Sequence, residues 1–459
     1  PAWADETFGR ANLGDLRRTR RLVAMAAQVA KRPGATVTYT MRTPAEKEGA
    51  FRLLESEHVS AATIAESVFE SAAHAAAEHS FIFCAVDQTS LAFMDRKNIR
   101  GLGPDDNREY PKIRGAQVMT SLAIDRNGTP IGLLAQRWWL RSETKVDKGN
   151  NDKRPLEERE SVHWSKSMTE VQSRLARVAP GSIPWFVMDR GADAHHVITK
   201  ACDEDVHLTV RTRVDRKVEK NGSQRQLFAC LRRQHVLCTV EINLPRRHGR
   251  KARTVKLELR ALTRKTRVRN KNHGPEQWRE VSVLRVREVG RPPVGEKRIQ
   301  WILLTTWKIE TAKDARLVLQ SYTYRWRVEE FHKTWKTGAC DLERSQLRSF
   351  EAIKRWGTIL AAVAARIERL KQLSRSAPES NAIEEFSRAE LDAAIMLTET
   401  KKHQRGDDLT LQQAVRLVAM VGGYMGRKSD GPPGSITIRR GLEQIAPAAA
   451  VMETLLGSG

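Results

Sequence analysis

Four polar side chains late in the chain have types and a spacing that suit chemistry on phosphate groups. They are Tyr322, Arg325, Glu329 and Lys336, at i, i+3, i+7 and i+14. On a helix, which advances about 100° per residue, they fall within an arc of roughly 60°. One carboxylate would then lie beside a phenol and two cations, which are groups that bind phosphate. A solvated helix face with ion pairs one turn apart is the alternative interpretation.

The element that must position these groups is residues 317–338, which we predict to be one helix. This stretch has no proline, is rich in helix formers and ends at Gly338. Its other side carries apolar residues at helical spacing, namely Leu317, Val328, Phe331 and Trp335. The helix would therefore pack one side on a core and present the other to a ligand.

Two aspartates at the ends of apolar runs are the candidate partners of Glu329. Residues 81–86 lead into Asp87, and residues 183–188 lead into Asp189. Such runs are typical of buried strands. If the two strands are neighbours in one mixed α/β sheet, we expect the three acids to meet in one pocket. A cap or turn residue is the alternative for Asp87 considered alone.

Three carboxylates in one pocket repel each other unless cations lie among them. Hard divalent ions with oxygen ligands, Mg²⁺ or Mn²⁺, suit such a group. Two of these ions can activate a water or a 3′-hydroxyl and stabilise the leaving oxygen of a phosphoryl transfer. The sequence therefore predicts a two-metal site formed by Asp87, Asp189 and Glu329.

The overall charge points to a polyanionic partner. The 459 residues include 79 Lys and Arg against 55 Asp and Glu, which gives a net charge of +24. Nucleic acid is the first candidate, ahead of a membrane surface. We find no apolar run of membrane-spanning length and no signal segment. Five scattered cysteines form no CxxC pair, so neither a zinc site nor a disulfide framework is predicted, and a reducing cytoplasm fits.

A basic helix is predicted near the start of the chain, from an N-cap at Asp15 to Lys31. Its first turns carry Arg17, Arg18, Arg20 and Arg21. Cations at this end oppose the helix dipole, which makes sense if they contact phosphates. A solvated basic face is the alternative.

The remaining chain suggests three domains. Residues 116–124 and 130–139 are predicted strands of a hairpin joined by Asn127-Gly128, and residues 207–306 are β-rich and basic. A long amphipathic helix is predicted at 349–373 and another helix at 409–424. We therefore predict a helical domain at 1–70, an α/β domain at 71–368 with a β-rich insertion at about 213–300, and a helical domain at 369–459.

Four segments resemble one family in order along the chain. YTYRWRVEEFHKTWKTGA, which begins at Tyr322, resembles the Y-(2)-R-(3)-E-(6)-K signature of bacterial cut-and-paste DDE transposases of the transposon Tn-five type, in the IS-four group. AVDQTSL around Asp87 and VMDRGADAH around Asp189 are similar to the family's two aspartate segments. LGDLRRTRRLVAMAAQVAK resembles its end-binding helix. The likeness is weakest between Arg213 and Lys297 and after Arg369.

The resemblance implies an α/β fold: a ribonuclease-H-like mixed-sheet catalytic core with a β-rich insertion, flanked by helical N- and C-terminal domains. Asp87, Asp189 and Glu329 would be the catalytic, metal-binding triad for two Mg²⁺ ions, which Mn²⁺ can replace. The implied DNA contacts are Tyr322, Arg325, Lys336, Trp301, Arg211, Arg17, Arg18, Arg21 and Lys31. Trp301 would stack on a flipped base, unless it is a core residue of a strand, and Arg211 would be an active-site arginine, unless it is one more basic strand residue.

The implied function is that of a DNA transposase: metal-dependent excision by 3′ nicking, hairpin formation and resolution, then strand transfer into target DNA. Its partners would be double-stranded transposon-end and target DNA, with a homodimer in the synaptic complex and no membrane, in the nucleoid of a bacterial cytoplasm. Two alternatives stay open. A non-catalytic DNA-binding regulator would occupy ends without cutting, and a ribonuclease-H-like nuclease would cut without joining.

Overall fold

The chain folds into a large mixed sheet with helices before and after it. The computed structural model describes residues 2–34, 36–94, 99–104, 113–142, 154–220, 222–244, 252–269, 275–427 and 430–456. In this part of the chain, no helix is long and apolar enough to cross a lipid bilayer.

Among the described residues, five helices precede the sheet: α1 (Ala2–Phe8), α2 (Leu16–Lys31), α3 (Val37–Thr40), α4 (Pro44–Glu55) and α5 (Ala61–Ala76). The basic helix α2 is confirmed, because the Asp15 carboxylate accepts a hydrogen bond from the Arg17 amide at its N-cap. Leu22, Met25 and Val29 are buried on its inner side. The apolar face therefore fixes how α2 packs and leaves its arginine-rich face outward.

Twelve described strands form one sheet. They are β1 (Phe81–Met94), β2 (Gly103–Pro104), β3 (Ile113–Ile124), β4 (Pro130–Trp139), β5 (Ile183–Met188), β6 (His207–Arg211), β7 (Lys217–Lys220), β8 (Ser223–Gln226), β9 (Cys238–Leu244), β10 (Arg253–Arg269), β11 (Gln277–Glu288) and β12 (Gln300–Thr305). The order is β2-β3-β1-β5-β6-β12-β11-β10-β7-β8, with β4 on β3 and β9 on β10. The strands predicted between 207 and 306 thus extend the central sheet through β12.

Strand β1 differs from the prediction that it ends at Asp87. It continues to Met94, so Asp87 lies within the strand, paired with Thr120 of β3. Three polar residues, Gln88, Thr89 and Ser90, follow Asp87 before apolar residues resume at Leu91, so the apolar run marked only the first half of the strand. By contrast, β5 ends at Met188 and Asp189 follows it directly, as predicted.

The predicted helix at 317–338 is two helices, α9 (Ala312–Tyr324) and α10 (Trp326–Lys336). Arg325 joins them, and three-residue hydrogen bonds replace the regular ladder here: the Arg325 amide donates to the Tyr322 carbonyl and the Val328 amide to the Arg325 carbonyl. The prediction of one helix was therefore wrong. No proline or glycine marks the break, and it is held by contacts from another element.

That element is the turn between β3 and β4, the hairpin predicted from Asn127-Gly128. The Arg126 carbonyl accepts a hydrogen bond from the Tyr324 hydroxyl at 3.3 Å, and the Gly128 carbonyl accepts one from Arg327 Nε at 3.0 Å. Gly128 has φ +84°, and a Cβ there would lie 2.6 Å from the Tyr324 ring. The turn therefore holds the chain on both sides of Arg325.

The other helices are α6 (Val162–Val178), α7 (His195–Asp203), α8 (Leu227–Arg232), α11 (Phe350–Ser376), α12 (Arg388–Leu397), α13 (Leu411–Val421) and α14 (Ser435–Leu456). Helix α11 has buried residues along nearly its whole length and packs against both α10 and the C-terminal helices. The C-terminal helices α12, α13 and α14 enclose a core of their own. Helix α11 thus links the two regions.

Candidate active site

Asp87 and Asp189 come from neighbouring parallel strands. Ala85 of β1 pairs with Val187 of β5, and each aspartate follows two residues later. Equivalent positions in a parallel pair lie side by side and on the same face. The fold therefore brings the two predicted aspartates together.

Glu329 reaches this place from helix α10 through Arg325. The guanidinium of Arg325 contacts the Glu329 carboxylate, and its Nη1 lies 3.6 Å from Asp87 Oδ2. The side chain of Arg325 is 10% exposed and that of Asp87 is 15% exposed. One buried cation thus bridges two of the three predicted acids.

The pKa of the Asp87 carboxyl is affected by both other acids. Burial raises the pKa of its carboxyl to about 7, and the negative charges of Asp189 and Glu329 raise it too, while Arg325 opposes the shift. Burial by itself would lower the pKa of Arg325, but attraction to Asp87, Tyr322 and Glu329 outweighs it and the pKa is raised. The pocket is therefore short of positive charge even with Arg325 in place.

The remaining signature residues surround this pocket. Lys336 Nζ donates a hydrogen bond to Thr89 Oγ1 on β1 at 3.1 Å and lies 3.5 Å from Glu343 Oε1. Glu343 in turn accepts a hydrogen bond from the Ala92 amide at 3.0 Å. Neither Thr89 nor Glu343 was predicted, because Thr89 follows the apparent strand end and Glu343 lies in a 3-10 turn outside the signature. Together they hold the lysine next to β1.

Tyr322 is buried, with its ring beneath the Arg325 guanidinium at 5.6 Å. Its other neighbour is Trp301, whose ring meets it edge to face at 5.5 Å. Arg211 ends β6 and pairs across from Leu303, with its Nη2 3.5 Å from the Gln300 carbonyl. The structure therefore places Trp301 and Arg211 on one side of the signature, and both remain predicted DNA contacts.

The predicted end-binding arginines form a separate surface. Arg17, Arg18 and Arg21 line a groove of 510 Å³ together with Arg52 and Glu48. A Cβ on Gly49 would lie 1.6 Å from Arg21 Nη1, so a larger residue at position 49 would clash with the guanidinium in this position. Lys31 ends the same helix α2 and is not among the groove residues. This groove belongs to α2 and α4, apart from the three acids.

His332 is a further residue beside the site. It is buried one turn after Glu329, and its Nε2 has no hydrogen-bond partner among the described residues. Burial lowers its pKa to about 3, and Lys336 and Arg325 lower it too, so the imidazole is neutral. A Glu-x-x-His spacing is the only sequence signal for it.

The acids fit a divalent cation by their chemistry, although the described residues contain no group of three metal-binding side chains already gathered around one point. Their oxygens are the ligands that hard cations prefer. The raised pKa of Asp87 shows that positive charge would be favourable here. Arg325 already contacts Asp87 and Glu329 and supplies part of that charge.

Comparisons with protein families match most of the chain in the predicted order. A family model for transposase DNA-binding domains matches residues 1–59, one for the transposase DDE domain matches residues 157–365, and one for the transposase Tn5 dimerisation domain matches residues 362–453. These matches support an enzyme of DNA transposition that binds DNA and forms dimers, and the DDE domain implies dependence on a divalent metal ion. The resemblance found in the sequence is confirmed: this chain belongs to the Tn5-type DDE transposases.

Proposed function

We propose that this transposase excises its element by 3′ nicking, hairpin formation and hairpin resolution, and then joins the freed 3′ end to target DNA, all at one site. Asp87, Asp189 and Glu329 are the proposed catalytic residues. The observation that carries the proposal is that Asp87 of β1 lies beside Asp189, which follows β5, and shares Arg325 with Glu329 of α10. A regulator that only bound DNA would have no need for this costly cluster.

The fold supports the proposal in a second way. The five strands β4-β3-β1-β5-β6 have the two aspartates on the adjacent central strands, with β3 antiparallel to β1, and β5 and β6 parallel to it. We propose that this unit is the ribonuclease-H-like core. The domain limits 1–70, 71–368 and 369–459, with strands β7 to β11 as the insertion at about 213–300, are part of the same proposal.

The three acids would hold two Mg²⁺ ions, which supply a nucleophilic oxygen and stabilise the leaving oxygen of each phosphoryl transfer. The chain's own groups do the rest. Arg325 and Lys336 bind the phosphate beside the scissile bond, because a fixed guanidinium and an ammonium match its charge. When Arg325 binds the phosphate, the Asp87 and Glu329 carboxylates lose their contacts with it and become free to bind the metal ions.

Trp301 and Tyr322 form an aromatic pair next to the site, which suits stacking with a DNA base that has flipped out of the double helix. Trp301 is half-buried and braced by Tyr322, so its ring is held in one orientation. Stacking of one base on such a ring contributes about 1–3 kcal/mol. We propose that this surface holds a flipped base while the hairpin end is formed, and that Arg211 neutralises the neighbouring phosphate.

Cleavage and joining by purified protein tests the proposal. The substrates are a duplex library with random ends and a supercoiled target, in Mg²⁺ or in EDTA. We expect Mg²⁺-dependent insertion of one recurring end sequence, a loss of about 10³-fold or more in Glu329→Gln, and normal activity in the matched control Glu351→Gln. Full cleavage by Glu329→Gln contradicts the triad. Binding without cutting favours the regulator, and cutting without joining favours the nuclease.

A further inference from the structure

A second group of charged residues is buried behind the catalytic helix. Helix α10 carries Glu329 on one side, and Glu330 and Thr334 on another side that faces α11. Glu330 and Thr334 contact Lys371 and Glu368 of α11, whose side chains are 7% and 1% exposed. These charges lie outside the site described above and take no part in the proposed chemistry.

Glu368 joins three helices. Its Oε1 accepts a hydrogen bond from Thr334 Oγ1 of α10 at 2.6 Å and another from Ser435 Oγ, the first residue of α14, at 2.8 Å. The two hydroxyls lie 3.1 Å apart. Lys371 Nζ contacts its other oxygen. A single buried carboxylate thus connects the helix of Glu329 to the last helix of the chain.

A second branch reaches the residue next to Glu329. Lys371 Nζ lies 3.5 Å from Glu330, which also pairs with Arg327 at 3.0 Å and accepts a hydrogen bond from Gln372 at 3.3 Å. Burial raises the pKa of the Glu330 carboxyl, but Lys371 and Arg327 outweigh it and the pKa is lowered. Lys371 and Arg327 therefore hold the Glu330 carboxylate in its charged form.

Stability alone does not account for this network. Apolar residues in place of a buried ion pair are often neutral or stabilising, whereas polar groups of this kind are best known for fixing one register. The apolar contacts of Val328, Phe331 and Trp335 already bind α10 to the core. Hydrogen bonds weaken steeply with distance and angle. They therefore fix the rotation and the axial position of α10 more sharply than apolar packing does.

We propose that Glu368 is a positioning residue. Through its hydrogen bonds to Thr334 and Ser435, it fixes the rotation and axial position of α10 relative to α14, which is docked beside it. The C-terminal helices then act on the chemistry and not only on dimer formation. Arg375 of α11 adds to the link, because its Nη2 donates to the Pro433 carbonyl just before α14 at 3.0 Å. The inference rests on the proposed function in that it assigns the chemistry to Glu329.

The decisive variants remove one hydroxyl each. Thr334→Val and Ser435→Ala keep the side-chain volume nearly unchanged, and Thr334→Ser restores the hydroxyl. Thr437→Val is the matched control in α14, because that hydroxyl donates only to the Gly434 carbonyl of its own helix start. The protein is the full chain, and the readouts are end-DNA affinity, single-turnover nicking by preformed end complexes, and amide hydrogen exchange of residues 327–336.

We expect Thr334→Val and Ser435→Ala to slow nicking by about tenfold or more, since small misplacements of reacting groups cost up to about 10² in rate. Affinity for end DNA should stay within about twofold, because neither Thr334 nor Ser435 lines the end-binding groove. Ser435→Ala should also speed exchange in α10, while Thr334→Ser and Thr437→Val behave like the wild type. Wild-type nicking and exchange in Ser435→Ala overturn the inference.

The two proposals fail in different ways. If the wild type shows no metal-dependent cleavage, the proposed function is wrong and exchange alone decides the role of Glu368. Faster exchange of residues 327–336 in Ser435→Ala then supports the positioning role, and unchanged exchange overturns it.

Discussion

Neutralising Asp87 should make the metal-free protein more stable at alkaline pH. The folded protein raises the pKa of this carboxyl from 3.8 to about 7. The folded state therefore keeps a proton that the unfolded chain releases between about pH 4 and pH 7, so stability falls as pH rises through this range. Asp87→Asn has no charge to bury, and it leaves Arg325 its partner Glu329.

The magnitude follows from the two pKa values. At about 1.36 kcal/mol per pKa unit, the difference between 3.8 and about 7 corresponds to about 4 kcal/mol at pH 8, as an upper bound. For 459 residues, an unfolding entropy of about 2.1 cal/mol/K per residue converts this upper bound into a rise in Tm of at most roughly 4 °C, if the chain unfolds as one unit. Most of the gain should be absent near pH 4, where Asp87 is protonated in the folded state and still about half protonated in the unfolded chain.

The assay is thermal unfolding of the wild type and Asp87→Asn in EDTA, from pH 4 to pH 8. Asp203→Asn is the control, because this aspartate is half-exposed and paired with Arg279, so it should give no gain at pH 8. Mg²⁺ should stabilise the wild type more than Asp87→Asn. An Asp87→Asn protein no more stable than the wild type at pH 8, or equally stabilised at pH 4 and pH 8, would refute the argument.

Three further predictions concern DNA. Arg325→Lys should slow single-turnover nicking by about tenfold or more, because an ammonium cannot bridge Asp87 and a second group as the guanidinium does; an unchanged rate would count against the bridge. Trp301→Ala should lose about 1–3 kcal/mol of base stacking, seen as nicked ends that accumulate before the hairpin, whereas Trp301→Phe should retain most of it. Arg21→Ala should weaken end binding and lower the slope of log K against log salt by about 0.9, and a slope equal to that of the wild type would show that Arg21 contacts no phosphate.

The sequence predicted those parts of the site that local pattern determines. Strand β5 and Asp189 were predicted at their observed limits, since an apolar run with a polar end marks a buried strand. The basic helix α2 was predicted from its cap at Asp15. In both cases the signal lies within a few neighbouring residues.

The rest depends on contacts that spacing does not encode. The break at Arg325 arises because the β3–β4 turn, nearly 200 residues earlier in the chain, binds Tyr324 and Arg327. The short strands β7 and β8 and the helices α12 and α14 were not predicted. The pairing of Arg325 with Glu329, one helical turn apart, is visible in the spacing, but its contact with Asp87 is not, because that contact depends on how α10 packs against β1.

The Gly128 turn also bears on where this chain tolerates insertions. Hairpin tips are the usual places to lengthen a protein, because they are exposed and bind little else. This tip packs against Tyr324, so an inserted peptide would disturb the contacts that hold the chain on both sides of Arg325. The tip at Gly222 has φ +71° and open space around it. A tag or a fused domain therefore belongs at the β7–β8 tip, at the far edge of the sheet from the acids.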